Sequence, residues 1–192
     1  MNMYKTRKTH SVTITTDRIE VDGSRLEVSA SGVGMLKEIY RSRIGGYPKF
    51  HKMDVLCQLG FIASELLLEA EGKERFVESE DRAVILFGKH ASIYSDRQYQ
   101  KTISDKENFY PSPSVFIYTL PNIVTGEIAL RNKYHGETSY FALEDKTEME
   151  RHITIILETT PSINSAICGW IDAVDPQDFE AEIYIIEKTD KT

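Results

Sequence analysis

Apolar positions along this chain recur in two rhythms, one of period two and one of period 3.6. Residues 11–16 and 18–21 alternate apolar with polar side chains, and Asp22-Gly23 marks a turn between such runs. This predicts a first strand within a small hairpin. Leu36, Ile39 and Tyr40 fall at i, i+3 and i+4 and predict a helix over 35–43, broken by Gly45-Gly46-Tyr47-Pro48. The clearest helix is 54–70. Val55, Leu59, Ile62, Leu66 and Ala70 form one stripe, Leu56, Ala63 and Leu67 widen it, and Gly72 stands where a C-terminal cap belongs. Ala83-Val84-Ile85-Leu86-Phe87 is a continuous apolar run, which suits a strand covered on both faces.

Residues 92–108 are polar and weakly periodic, which predicts a long loop with one helical turn. Pro111 and Pro113 introduce a helix over 115–134, closed by Gly136. A short strand follows at 139–143. A helix is predicted over 145–159, with Met149, Ile153, Ile156 and Leu157 on its apolar face. A buried strand follows at 166–171 and an alternating strand at 181–187. The order βαβαβαββ predicts an α/β fold: one domain over 1–192, with a five-stranded mixed sheet and helices on both faces. Its expected core includes Leu59, Ile62, Leu66, Val84, Leu86, Ile128, Phe141, Ile153, Ile167 and Ile185.

Charge narrows the partners. A net charge of -7 without a dense Lys/Arg patch repels phosphate backbones and anionic lipid, so neither nucleic acid nor a membrane surface is expected. No apolar run approaches the ~18 residues of a membrane span, and the polar, basic residues 1–16 lack the apolar core of a secretory leader. Both cysteines, Cys57 and Cys168, sit inside apolar segments. They read as core residues of a protein in a reducing compartment, and the cytoplasm is the expected location. No Cys/His spacing suits a metal. Gly32-x-Gly34 lacks the third glycine of a dinucleotide fingerprint, and Ser112 and Ser114 lack a Gly-x-Ser-x-Gly context. No cofactor or metal is expected.

One ordered series of short motifs carries a resemblance. Ser112-Pro113, Leu120-Pro121-Asn122, Gly126-Glu127-Ile128-Ala129-Leu130-Arg131 and Gly136 follow one another at spacings similar to those of β-ketoacyl synthases, in the thiolase-like fold family. Lys52-Met53-Asp54 opening a long helix, Gly169-Trp170-Ile171-Asp172-Ala173, and residues 179–187 agree in order with the same family. The series spans about Lys52 to Lys188 and resembles the amino-terminal half of that fold.

The resemblance implies a nucleophilic cysteine at the start of the helix after residue 143. Counting from Gly136 brings that position to Asp145, and no neighbour is a cysteine. The two active-site histidines of the family lie in its second half, beyond the segment matched here. A condensing enzyme needs a thiolate to accept the acyl group and histidines to assist decarboxylation and hold the oxyanion. Asp145 instead reads as a helix cap, with Thr147 and Glu150 as an alternative capping box.

The resemblance therefore implies a non-condensing partner or scaffold subunit in fatty-acid, polyene or polyketide-type synthesis. As such it would work as a homodimer or as a heteromer with a ketosynthase, with an acyl carrier protein as a further partner. The alternatives are a small acyl-thioester-processing enzyme, with His90, Asp145 and Tyr118 as its first suspects, or a homodimeric module that binds an acyl chain or carrier protein. Tyr140 and Phe141 on the edge strand, with Met149, Ile155 and Leu157 on the helix after it, are the expected interface residues, since their apolar arc is wider than one stripe.

Overall fold

The computed structural model describes residues 5–107 and 109–189. Residues 1–4 of the segment searched for a leader, and Asn108 at the end of the expected loop, lie outside the described residues. The sheet has seven strands: β1 (Lys5–Ile14), β2 (Ile19–Val21), β3 (Ser24–Leu26), β4 (Arg82–Gly88), β5 (Thr138–Ala142), β6 (Ser165–Asp175) and β7 (Asp178–Thr189). Their spatial order is β3-β2-β1-β7-β6-β4-β5. β4 runs parallel to both β5 and β6, and the remaining pairs are antiparallel. The five expected strands are all present. The correction is the count: the 18–21 run, expected within a first strand and its small hairpin, is a separate strand β2, and β3 follows the Asp22-Gly23 turn as a further three-residue strand. They form because Asp22 and Gly23 both take positive φ, 48° and 76°, a left-handed pair that closes a tight hairpin.

Six α-helices flank this sheet: α1 (Val33–Ile39), α2 (Val55–Glu71), α3 (Ile93–Ile103), α4 (Pro113–Phe116), α5 (Ile123–Asn132) and α6 (Met149–Thr159). α2 begins where Asp54 accepts the Cys57 N–H at 2.9 Å and ends at Gly72 in the left-handed conformation. All residues from Val55 to Leu68 are buried, so α2 is enclosed on every side rather than along one stripe. It lies between the sheet and helices α1 and α5. Gly60 permits the α5 contact, since a Cβ there would stand 2.3 Å from the Val124 side chain.

Three helix expectations are corrected. Residues 93–103 form α3 instead of a loop. Its polar face is so broad that Ser95 is its sole buried residue, which hid the helical period. The segment 115–134 is broken by Leu120-Pro121 into α4, a 3-10 turn (Ile117–Thr119) and α5. The 145–159 helix begins at Met149, after a 3-10 turn (Lys146–Glu148), and no Thr147–Glu150 capping box forms.

The core lies on both faces of the sheet. On one face α1, α2 and α5 cover Val84, Leu86, Ile167 and Ile185. On the other, α6 covers Ile85, Phe87, Cys168 and Trp170 through Met149, Ile153 and Leu157. Of the ten expected core residues, nine are buried and Phe141 is half-buried at the sheet edge. Met149 and Leu157 are packed against the chain's own sheet, 8% and 2% exposed, so they are core and not interface residues. The sheet covers the i, i+4, i+8 stripe Met149, Ile153 and Leu157 of the apolar arc. Ile155, 47% exposed, is left pointing outward.

Leu66 and Leu86 are essentially fully buried, at 1% and 0% exposed. Truncating either to alanine should cost about 2–5 kcal/mol, the transfer loss plus the cavity left behind. Urea unfolding of the two variants checks this. A loss under about 1 kcal/mol at both would refute their core placement.

Candidate functional site

β4 and β5 end together beside β6, which runs on to Asp175, and the residues around these ends carry most of the candidate side chains. β4 ends at Gly88, where no side chain fits: a Cβ would lie 2.2 Å from both the Ile171 carbonyl oxygen and the Tyr140 hydroxyl. This close approach brings the turn after β4 onto β6. There Asp172 accepts the His90 backbone N–H at 2.8 Å through Oδ1 and meets His90 Nδ1 at 2.6 Å through Oδ2. Asp172 is largely buried and His90 is 41% exposed at its side chain. Tyr140 donates its hydroxyl to the Ile171 carbonyl at 3.2 Å, and burial raises its pKa far above the ordinary phenol value. Beside them Lys89 pairs with Glu144 at 2.6 Å.

Asp145 stands three residues beyond β5, at the entrance to α6. Its Oδ1 accepts the Thr147 hydroxyl at 2.5 Å and the Thr147 N–H at 2.8 Å. These two bonds hold its carboxyl below the usual range. It is an exposed, satisfied cap. Neither thiol substitutes for a nucleophile at this place. Cys57 lies buried in the first turn of α2, and burial pushes its pKa well up. Cys168 lies inside β6, and burial pushes it up to about 12. Both thiols are therefore protonated and inert at neutral pH.

Tyr118 is elsewhere. With Met53, Tyr94, Val115 and the Asp54–Ser95 pair it lines a groove of about 530 Å³ between the start of α2, α3 and α4. Ser95 donates to Asp54 at 2.6 Å, which ties α3 to the capping residue of α2. Burial, followed by the negative charges around it, raises the Tyr118 hydroxyl to about 12, so it stays a neutral donor. The three enzymatic suspects thus separate: His90 pairs with Asp172, Asp145 with Thr147, and Tyr118 sits in the groove. No hydrogen bond joins any two of them among the described residues.

Across one stretch the surface changes character. No charged residue occurs from 109 to 126. Phe109, Tyr110, Phe116, Ile117 and Leu120 are each 49–74% exposed within it, five of the nine exposed large hydrophobic residues described. Near the groove Arg41, Arg43, Lys49 and Lys52 are exposed, with Arg43 paired to Glu69 and Lys49 to Glu127. At the sheet edge Tyr140 and Phe141 are half-buried.

Solved structures with this arrangement of strands and helices are ketosynthases and their chain length factors. An ishigamide ketosynthase/chain length factor superposes with a TM-score of 0.66 at 14% identity, covering 95% of this chain and 62% of that one. The ketosynthase ApeO in complex with its chain length factor ApeC, from Xenorhabdus doucetiae, gives 0.64 at 10% identity over 96% of this chain and 79% of that one. AntDE:AntF, a type II polyketide synthase acyl-carrier protein in complex with its ketosynthase bound to the hexaketide, gives 0.64 at 9% identity, over 96% and 58%.

The chain has the ketosynthase-like half-fold.

No family model matches it, and no curated protein matches it in sequence. It spans less than two thirds of the first of these ketosynthase structures. Within this ketosynthase-like frame, Asp172 and the uncharged ridge were missed by the sequence reasoning. Asp172 follows an apolar strand run just as His90 does, and two such run-ends in parallel strands must meet. The ridge was visible as an unbroken stretch without charge.

Proposed function

We propose that this chain is a non-condensing ketosynthase-like subunit that associates with a ketosynthase in the cytoplasm, in fatty-acid, polyene or polyketide-type synthesis. The observation that carries this reading is that Asp145, where the count from Gly136 expects the thiol, is an aspartate that caps the 3-10 turn before α6. The fold shared with ketosynthase/chain length factor structures supports it.

The uncharged ridge supports association. An exposed apolar surface of this kind is costly in water and is the usual mark of a protein contact. Phe116 and Ile117, both half exposed, are adjacent on the short helical segment after Pro113. In this reading an acyl carrier protein is a further, acidic partner, with the exposed Arg41 and Lys52 as its first contacts.

The test is co-expression with a full-length ketosynthase from the same source, followed by light scattering. A heteromer should form with the native chain. Replacing Phe116 and Ile117 together by aspartate should weaken it about 100-fold or more, because two charges would be buried in an apolar contact. A native chain that elutes alone beside the ketosynthase at micromolar concentration would overturn the reading.

A further inference from the structure

We propose that the groove between the start of α2, α3 and α4 binds a small organic anion, a carboxylate carried on a flat aromatic body. This inference does not rest on the partner reading: it concerns the chain alone, and its test contains no other protein.

The groove is built before any ligand arrives. Ser95 of α3 donates to Asp54 at the start of α2 at 2.6 Å, and Ser92 donates to the Thr119 carbonyl at 2.7 Å. Tyr99 of α3 and Phe116 of α4 are in ring contact, their centroids 5.2 Å apart. Each wall is thus tied to its neighbour, so a ligand does not have to order them, which lowers the conformational cost of binding. The volume of about 530 Å³ falls within the roughly 300–1,000 Å³ of small-molecule sites.

The hydrogen-bond inventory sets the charge of the ligand. Lys52 and Asp54 are the two charged residues that line the groove. Asp54 is fully engaged, with Oδ1 on the Cys57 N–H at 2.9 Å and Oδ2 on the Ser95 hydroxyl. Lys52 makes no ion pair or hydrogen bond among the described residues, and neither do the hydroxyls of Tyr94 and Tyr118. An ammonium only donates, and a protonated phenol is a good donor. The unmet groups of the groove are therefore donors, one of them cationic, while its one carboxylate is already satisfied. A ligand carboxylate supplies both the acceptors and the opposite charge, and hydrogen bonds to an ionised acceptor are the stronger kind.

The rest of the lining sets the body. Tyr94 and Tyr118 offer rings, and Met53 offers a thioether, which packs well against aromatic edges. An aromatic ligand meets all three with a rigid surface. A flexible aliphatic acid of similar size carries the same carboxylate but loses rotamer freedom on binding.

The experiment is isothermal titration of the purified chain with naphthoate at pH 7 and low salt. Saturable binding is expected. The uncharged naphthylmethanol and the flexible decanoate should each bind about 10-fold more weakly or worse. Tyr118→Phe should weaken naphthoate about 10-fold, the loss of one hydrogen bond to a charged group, and should leave naphthylmethanol almost unchanged. Lys52→Met should weaken naphthoate by roughly 3-fold and remove most of the salt dependence. Val115→Trp, which fills the groove, should abolish binding. The Tyr118 hydroxyl has no partner to lose, so Tyr118→Phe keeps the fold, and circular dichroism checks each variant. No saturation at about 1 mM naphthoate, equal affinity for naphthoate and naphthylmethanol, or a folded Tyr118→Phe variant with native affinity would each overturn the proposal. Decanoate binding as tightly as naphthoate would overturn the aromatic body.

Discussion

Replacing Arg82 by methionine should destabilise the protein by about 3–5 kcal/mol, because it strands a buried carboxylate. Arg82 opens β4 and lies almost wholly inside the protein, its side chain 9% exposed. Its two terminal nitrogens meet the two oxygens of Glu71, the last residue of α2, at 2.7 Å each, and its Nε donates to the Ser165 hydroxyl at 3.0 Å. The Glu71 side chain is 5% exposed. Burial by itself would push the Glu71 carboxyl up, yet the bonds from Arg82 and Lys73 outweigh it and hold the carboxyl below its ordinary value of 4.5.

The sign of the pH dependence follows. A carboxyl depressed in the folded state contributes stability that is present above 4.5 and is lost as pH falls through the lower folded value. In Arg82→Met the bidentate partner is gone and only Lys73, at 3.0 Å, still opposes the effect of burial on Glu71. Acid then relieves the variant, and the gap to the native protein should narrow below about pH 5. Replacing Glu71 by leucine in the same variant should recover most of the loss, since a buried ion pair exchanged for apolar groups is often near neutral. Urea unfolding at pH 7 and pH 4 measures all three. A single-variant loss under about 1 kcal/mol at pH 7 would show that the pair is solvated.

This pair also shows where the sequence stops being legible. Arg82 and Glu71 read separately as the polar ends of a strand and a helix. Only the packing of α2 against the sheet brings the end of one beside the start of the other as a buried unit. Elements whose own residues set their period were visible along the chain: β4 from five consecutive apolar residues, and α2 from its stripe together with Asp54 and Gly72. The hairpin showed in the 18–21 alternation and the Asp22-Gly23 turn, but β3 was too short to carry a period of its own, and α3 was too polar, with Ser95 its sole buried residue.

The candidate site was half legible for the same reason. The missing thiol at Asp145 is a matter of counting, which the motifs from Ser112 to Gly136 allowed. The Asp172 partner of His90 depends on β4 and β6 lying side by side in parallel, with Phe87 opposite Trp170. That register is a property of the folded sheet. The interface expectation failed at Met149 and Leu157 because a helical wheel gives the width of an apolar arc but not which part the sheet covers.

Introducing the missing thiol should not create a condensing enzyme. In Asp145→Cys the sulfur would stand exposed before the 3-10 turn that leads into α6, so acyl transfer to it from a carrier thioester is chemically reasonable. Condensation needs more. The malonyl group must lose its carboxylate, and the developing enolate and oxyanion need donors already in place. The histidines described here are engaged away from Asp145. His10 is bonded to Asp22, His90 to Asp172, and His152 to the Glu148 carbonyl. His51 packs edge-on against Tyr40 and Phe50, and the His135 N–H is bound to Ser79 near the opposite end of β4. The substitution would also remove both bonds that Thr147 makes to Asp145, loosening the entrance where the new thiol sits. Incubation with an acyl-carrier and a malonyl-carrier protein should therefore give no ketoacyl product from either the native chain or Asp145→Cys, while mass spectrometry should find an acyl group on the variant alone. Ketoacyl product above a boiled control, from either protein, would mean that this half-fold assembles an oxyanion site that its hydrogen bonds do not reveal.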